Sequence, residues 1–141
     1  MTALSPSSPA ATLAADTSRR DSNGLRAVLA ILDSWQLSAS QASTLLGAKE
    51  RTYYHWRKQV SGGGQLSAPL PRDTLERLSY LLGIWKALHI LLPDEAAAGA
   101  WVRRANTAPG FGGNTALARM LAGNVADLAF VRNYLDGQRG H

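Results

Sequence analysis

The stretch LSASQASTLLGAKERTYYHWRKQV, residues 37–60, decides the fold because it describes two short helices joined by a tight turn. Ser38 and Gln41 have the spacing of a capping box, which favours a helix start at this point. Gly47 predicts the end of that helix, since glycine accepts the positive φ that a sharp turn requires. The pattern is typical of a helix-turn-helix, a motif whose second helix reads the major groove of DNA.

The second helix of this pair is expected to have a packing side and a basic, aromatic side. Tyr53, Trp56 and Val60 recur at helical spacing on the packing side. We predict that the following residues of this helix and its N-terminal edge contact DNA: Lys49, Arg51, Thr52, Tyr54, His55, Arg57 and Lys58. Arginine and lysine reach guanine edges or phosphates, and tyrosine and histidine reach phosphates or base edges. The alternative is an ordinary helical hairpin with a solvated basic face.

The positive charge of the chain is concentrated around this stretch. The formal net charge is +5 over 141 residues. Residues 25–65 contain five lysines and arginines against two carboxylates, whereas residues 66–141 contain eight against six. An excess of this size in a short segment suits a phosphate-binding surface.

Composition narrows the class of protein further. A chain of 141 residues can bury a core as one domain or as two small ones. It has no cysteine, which excludes disulfides and thiolate metal sites and fits the cytoplasm, our predicted location. Lys86 and His89 interrupt the longest apolar run, near residues 81–92, so we expect no membrane span.

Residues 1–22 are predicted to form a disordered tail. They are rich in alanine, serine, threonine and proline and lack a periodic apolar face. Arg19 and Arg20 come too late for a secretory signal. This basic pair either belongs to a plain polar tail or touches a phosphate backbone.

A supporting helix should precede the hairpin, since apolar residues recur at helical spacing between Leu25 and Trp35. Ser22 or Asn23 is placed to cap its start. After the hairpin, the run SGGGQLSAP predicts a loop, because three successive glycines do not continue a helix. We therefore assign residues 23–66 to a helix-turn-helix DNA-binding region.

A long helix is predicted after this loop, from about Pro71 to Leu92. Its apolar residues cover roughly half of the helical circumference, more than one small partner needs. We expect this helix to pack on both halves of the chain or on a second subunit. His89 falls within the apolar arc, where a hydrogen-bonded core histidine is favoured over a catalytic or metal-binding one.

The C-terminal region is expected to contain short helices around a glycine-rich loop. A helix is predicted from Asp94 to Arg104, and the loop NTAPGFGGN follows at residues 106–114. No Lys-Ser or Lys-Thr pair follows this loop, so it is not a Walker-type phosphate cradle. In the last helix Phe130 and Tyr134, at i and i+4, either pack internally or form an exposed interface patch.

Several pieces of the chain occur in an order that resembles the Xre/MbcA/ParS-type antitoxins. They are LLGAKERTYYHWRKQ, LPRDTLERLSYLLGIWKALHILLPD, AWVRRAN, FGGNTALARMLAG and VRNYLDG, between about residues 25 and 140. Four residues match the family's pattern of Trp, Asn and Phe-x-Gly: Trp101, Asn106, Phe111 and Gly113. Ala105 and Ala116 depart from the pattern, because the family often has proline at these two places.

The resemblance implies an all-α protein in which a long central helix joins the N-terminal helix-turn-helix to a small helical C-terminal domain. It also implies a homodimer that represses its own operon by binding promoter DNA. The implied partner is a RES-domain toxin, an NAD-degrading enzyme whose active site the C-terminal region of the antitoxin covers. On this basis residues 67–141 form the dimerisation and toxin-binding domain of a type II toxin–antitoxin system, and no cofactor is needed.

The residues predicted to contact the toxin are the four matched positions together with aromatic and basic residues of the last helix: Trp101, Asn106, Phe111, Gly113, Phe130, Arg132, Tyr134 and Arg139. Phe111 ranks first, because an aromatic among glycines is expected to have little around it to pack on. The two arginines either add polar contacts near a phosphate-accepting cleft or form a solvated helix face.

Two other classes of protein stay open. A stand-alone helix-turn-helix transcriptional regulator would use its C-terminal half only to dimerise or to sense a ligand. An enzyme is disfavoured, since the chain has no cysteine, three scattered histidines and no paired carboxylates that would form a catalytic site or a metal site. A neighbouring gene for a RES-domain toxin would separate an antitoxin from a regulator.

Overall fold

A computed structural model describes residues 8–140, and within them the chain is helical, with one isolated β-bridge and no strand. Its seven α-helices are α1 (Pro9–Ser34), α2 (Ala39–Leu46), α3 (Glu50–Val60), α4 (Arg72–Leu91), α5 (Glu95–Trp101), α6 (Ala116–Met120) and α7 (Val125–Arg139). The predicted all-α fold is confirmed. No helix of this part of the chain is long and apolar enough to cross a lipid bilayer.

Local signals place α2 and α3 where the sequence predicts them. Ser38 and Gln41 form both hydrogen bonds of the capping box at the start of α2. Gly47 ends α2 in the left-handed region, at φ 69°. A Cβ at this position would also lie 2.6 Å from the side chains of Arg77 and Asp73. Glycine is therefore required here both by the backbone conformation and by the close approach of α4.

The N-terminal segment differs from its prediction, because α1 already begins at Pro9. Residues 9–22 are helical, so the expected disordered tail is wrong for them; residues 1–7 lie outside the described part of the chain. Ser8 caps the helix by accepting a hydrogen bond from the Ala11 N–H. Proline suits the first turn and alanine favours helix, which explains a helix without a periodic apolar face.

Tertiary hydrogen bonds hold the middle of α1, where residues 22–23, the predicted cap, lie inside the helix instead. The Asp21 carboxylate accepts the Leu70 N–H at 2.8 Å, and the Ser22 hydroxyl accepts the Leu66 N–H at 2.9 Å. Both polar side chains are buried. They fix the loop between α3 and α4 to α1, because a buried backbone N–H needs a partner.

The long helix α4 packs against α1 and α2 on one side and α5 and α7 on the other, as predicted from its apolar arc. Leu78, Leu81, Ile84 and Leu88 are buried in one continuous core that includes residues of both halves. His89 is half-buried, and its Nδ1 lies 2.9 Å from the Trp85 carbonyl oxygen. It is thus a hydrogen-bonded packing residue, the favoured interpretation.

The glycine-rich loop is closed by backbone pairing between its two ends. An antiparallel bridge joins Ala105 to Thr115, and Asn106 donates its N–H to the Asn114 carbonyl at 2.9 Å. The helix before the loop ends at Trp101 rather than at residue 104. Arg103 and Arg104 donate their N–H groups to the carbonyls three residues back, in a tighter turn than the α-helix, and the Val102 carbonyl accepts the Leu117 N–H.

Candidate functional site

The outer side of α3 presents the basic and aromatic residues that the helical spacing predicts. Arg51, Tyr54, His55 and Lys58 are exposed, and Tyr54 retains 57% of its accessible surface. On the inner side Tyr53 and Val60 are buried and Trp56 is half-buried. Lys49 is exposed at the N-cap of α3, and Thr52 is half-buried beside it. This outer side, together with Lys49, is referred to below as the α3 surface.

Arg57 differs from its neighbours because its side chain is bound within the protein. Its guanidinium donates to the Asp33 carboxylate at 2.6 Å and to the Tyr53 hydroxyl at 3.0 Å. The hydrogen bond to Asp33 raises the pKa of Arg57, against the smaller effect of its partial burial. The residue therefore fastens α3 to α1 and is less free to reach DNA than Lys58.

A second arginine holds the C-terminal end of α3. Arg26 of α1 donates to the carbonyl oxygens of Val60, at 3.1 Å, and Gly64, at 2.5 Å. Carbonyl groups at a helix C-terminus lack helical partners, so a cation there stabilises the helix end. With Arg57, this contact makes α3 a rigid platform.

Arg77 of α4 joins the helix-turn-helix to the C-terminal half. Its side chain is buried, and it donates to the carbonyl oxygens of Thr44 at 3.3 Å and Gly123 at 2.9 Å, while also pairing with Asp73. This role of Arg77 was not predicted from the sequence. The available signal was an arginine beside Leu78, inside the apolar arc of a helix, where a long cation is costly unless it finds partners.

A second arginine contact between the two halves of the chain lies at the end of α1. Arg103, which follows α5, donates to the carbonyl oxygens of Trp35 at 2.9 Å and Gln36 at 3.1 Å. Gln36 has φ 59°, so its carbonyl is turned out of the helical direction towards this guanidinium. The two halves are therefore connected by buried apolar packing and by Arg77 and Arg103 at their polar edges.

Phe111 is a core residue, which corrects the expectation that little would pack around it. It is 5% exposed, and its ring centroid lies 5.1 Å from those of Phe130 and Tyr134 and 6.4 Å from that of Trp101. The Phe130 and Tyr134 pair thus packs internally, although both side chains stay half-buried. Gly110 permits this arrangement, since a Cβ there would lie 2.2 Å from the Phe130 ring.

The remaining matched residues shape the loop. The side-chain carbonyl of Asn106 accepts the Ala108 N–H at 2.9 Å, and its backbone carbonyl accepts the Gly113 N–H at 3.1 Å. Gly113 has φ 79°, a conformation that favours glycine. These contacts give the Asn and Phe-x-Gly positions a conformational role in this structure, and toxin contact through them stays a prediction.

Arg119 fixes the same loop to α7. It donates to the Gly110 carbonyl and the Asp127 carboxylate, at 2.9 and 2.8 Å, and lies 4.1 Å from the centre of the Phe130 ring. Burial opposes ionisation of Asp127, but the hydrogen bonds from Arg119 and Asn124 outweigh it and lower the pKa of Asp127. Arg119 is therefore a structural cation.

The two arginines predicted near the toxin both lie beside one carboxylate on α7. Arg132 and Arg139 are 3.4 and 3.5 Å from Asp136. Arg132 also covers Gly83 of α4, where a Cβ would lie 2.4 Å from its guanidinium. Arg139 is therefore described well by the alternative of a solvated helix face, whereas part of the Arg132 side chain packs against α4.

Comparison with known families agrees with this division of the fold. Residues 14–83 match the antitoxin Xre-like helix-turn-helix domain, and residues 87–140 match the antitoxin Xre/MbcA/ParS C-terminal toxin-binding domain. The two matches meet within α4. The molecule is thus an antitoxin with a DNA-binding helix-turn-helix and a toxin-binding domain.

More particularly, the chain belongs to the Xre/MbcA/ParS antitoxin family. It is also similar to the uncharacterized protein y4oB of Sinorhizobium fredii (strain NBRC 101917 / NGR234). The two are 45% identical over 137 residues, which are 96% of this chain and 93% of y4oB.

Proposed function

We propose that this antitoxin belongs to a type II system in the cytoplasm, that it inhibits a RES-domain NAD-degrading toxin, and that it represses its own operon. The observation that carries the DNA-binding part is the α3 surface, on which Arg51, Tyr54, His55 and Lys58 are exposed together. The helix below them is held by Arg26 and Arg57. A helix that is held in place and carries several exposed polar side chains can recognise a specific operator sequence, which supports the proposal.

Dimerisation is proposed to place two α3 surfaces on one operator. A groove of about 270 Å³ lies between α1 and α4, lined by Ala27, Ala30, Ile31 and Leu82 among others. Glu95 lines this groove, and Lys86 follows the lining residue Trp85 in the chain; both side chains are exposed. A two-fold contact can pair unlike charges of this kind.

The proposal that the chain binds a toxin rests on the match of residues 87–140 to the toxin-binding domain of the family. The RES class of toxin and the covering of its active site come from the resemblance of the chain to antitoxins that are paired with such enzymes. The aromatic cluster around Phe111 supports the proposal indirectly, since it makes a rigid scaffold on which a contact surface can be built.

The test combines DNA and toxin binding by the full chain. Gel-shift and sedimentation experiments with its own upstream DNA are expected to show a dimer on half-sites about one helical turn, or a multiple, apart. Leu82→Asp should weaken self-association and operator binding together. Co-expression with the product of the adjacent gene should yield a complex and preserve cellular NAD. A chain that binds DNA but finds no toxin there would instead be a stand-alone regulator.

A further inference from the structure

A pocket of about 230 Å³ opens on the C-terminal half, where the end of α4 meets α7. Its lining includes Leu91, Leu92, Trp101 and Tyr134, with Arg104 and Gln138 as its polar members. We propose that this pocket receives an apolar side chain of the toxin, and that Arg104 pairs with a carboxylate beside that side chain. The inference rests on the proposed function and moves the centre of toxin contact away from Phe111.

The apolar part of the pocket is accessible and contiguous. Trp101, Tyr134, Leu91 and Leu92 are each half-buried. Clustered apolar groups of this kind mark protein interaction sites on small domains. Tryptophan and tyrosine are also the residues that contribute most often to binding energy at the centres of interfaces.

The aromatic side chains are already fixed before a partner arrives. The rings of Trp101 and Tyr134 are stacked, with centroids 6.3 Å apart and planes 18° apart. Phe111 packs edge-on against both rings from within the domain. Little side-chain freedom is lost when the pocket is filled, which favours tight association.

The charge at the pocket identifies the second part of the partner's chemistry. Arg104 is exposed and makes no ion pair within residues 8–140, whereas the adjacent Arg103 is bound to backbone carbonyls of α1. The lining contains no carboxylate. An acidic group of the toxin would therefore complement the pocket, and arginine can bind it through two parallel hydrogen bonds.

A toxin fits this pocket better than a second copy of the chain does. A two-fold contact centred here would bring Arg104 towards its own symmetry mate, with no carboxylate in the lining to separate them. All of the residues that line the pocket lie within the toxin-binding match, residues 87–140.

The experiment measures binding of the full chain to the purified RES-domain toxin encoded by the adjacent gene. Arg104→Glu reverses the charge and should weaken binding by about 30-fold or more, while Arg104→Lys should retain most of it. Gln138→Trp adds bulk at the pocket and should weaken binding about tenfold. The matched control is Arg72→Glu, the same charge change at an exposed position on the first turn of α4, about 28 Å along the helix from Leu91 in the pocket lining.

Each outcome decides the question. Loss of toxin binding in the Arg104 and Gln138 variants, with operator binding and melting temperature unchanged and Arg72→Glu unaffected, supports the pocket. If both variants bind the toxin as tightly as the wild type does, the proposal for this pocket is overturned while the proposed function stands. A wild-type chain that binds no toxin overturns both. If Gln138→Trp fails to fold, Arg104→Glu and Arg104→Gln decide, since their position is exposed.

Discussion

The two halves of the molecule use aromatic and basic residues in opposite ways. On α3, Tyr54 and Lys58 are exposed as the helical spacing predicts. In the C-terminal half Phe111, also expected at the surface, is 5% exposed and surrounded by three other rings. Helical spacing reports which side of a helix faces outward. An aromatic in a loop is buried or exposed according to residues distant in sequence, and these are not visible in the loop itself.

Among the substitutions that test this comparison, Phe111→Ala is expected to have the largest effect. Removing a buried phenyl group should lower the free energy of unfolding by about 3–5 kcal/mol, because a cavity opens between Trp101, Phe130 and Tyr134. Chemical denaturation of the full chain measures this. Phe111→Leu, which retains much of the volume, should lose less. Normal stability with selective loss of toxin binding would restore Phe111 as a direct toxin contact.

Arg77→Ala should have the next largest effect, because Arg77 touches both halves. The change leaves the carbonyl groups of Thr44 and Gly123 without their charged donor, and hydrogen bonds to charged groups typically contribute about 1.5–3 kcal/mol. We expect a loss of about 2–4 kcal/mol and weaker coupling between the halves. The measurement is thermal unfolding followed separately by tryptophan fluorescence and circular dichroism.

Exposed Arg72, on the first turn of the same helix, provides the control for Arg77. Arg72→Ala should change the free energy of unfolding by less than about 0.5 kcal/mol. Equal effects of the two substitutions would show that the Arg77 contacts do not hold the halves together.

Most of the helical framework could be predicted from the sequence, because its signals are local. The capping box at Ser38, the left-handed Gly47 and the wide apolar arc of α4 each depend on residues within a few turns. The helicity of residues 9–22 was missed because an exposed, alanine-containing helix has no apolar period to detect. The partners of Arg77 were also missed, since its acceptors lie 33 and 46 residues away in the chain.

A substitution on the α3 surface is expected to have an intermediate effect, in this case on the affinity for operator DNA. Arg51→Ala should cost about 1–3 kcal/mol of operator binding and relax the sequence preference at one base pair, if its exposed side chain reads a base edge. Gel shifts with single-base operator variants measure both quantities. Unchanged affinity and unchanged preference would remove Arg51 from the readout.

Lys58 and Arg57 form a matched pair for the same assay. Lys58→Ala should weaken binding to all sequences and reduce the salt dependence by about one phosphate contact. Arg57→Ala should instead lower protein stability, since it breaks the contacts with Asp33 and Tyr53. A larger loss of salt dependence in Arg57→Ala than in Lys58→Ala would show that Arg57 is the phosphate contact after all.

The smallest predicted effect is the pH dependence of folding stability that Asp127 contributes in the C-terminal half. The pKa of Asp127 is lowered in the folded protein, so its ionised form stabilises the fold above the unfolded pKa, about 3.9 for aspartate. This contribution should be lost as the pH falls below that value, through the lower pKa of the folded state. Asp127→Asn should cost about 1 kcal/mol near neutral pH, because it weakens the bonds to Arg119 and the α7 cap.

The comparison of Asp127→Asn with the wild type should be made by denaturation at several pH values. The two curves should lie apart at pH 7 and converge as the pH falls below about 4, where the wild-type carboxylate takes up a proton. Asp94→Asn provides the control, since Asp94 is exposed, and its curve should follow the wild type more closely throughout. A gap for Asp127→Asn that stays constant to the lowest pH measured would mean that its carboxylate acts by shape and hydrogen bonding rather than by charge. The C-terminal cluster would then depend on packing alone, and the contrast with the charged α3 surface would become sharper.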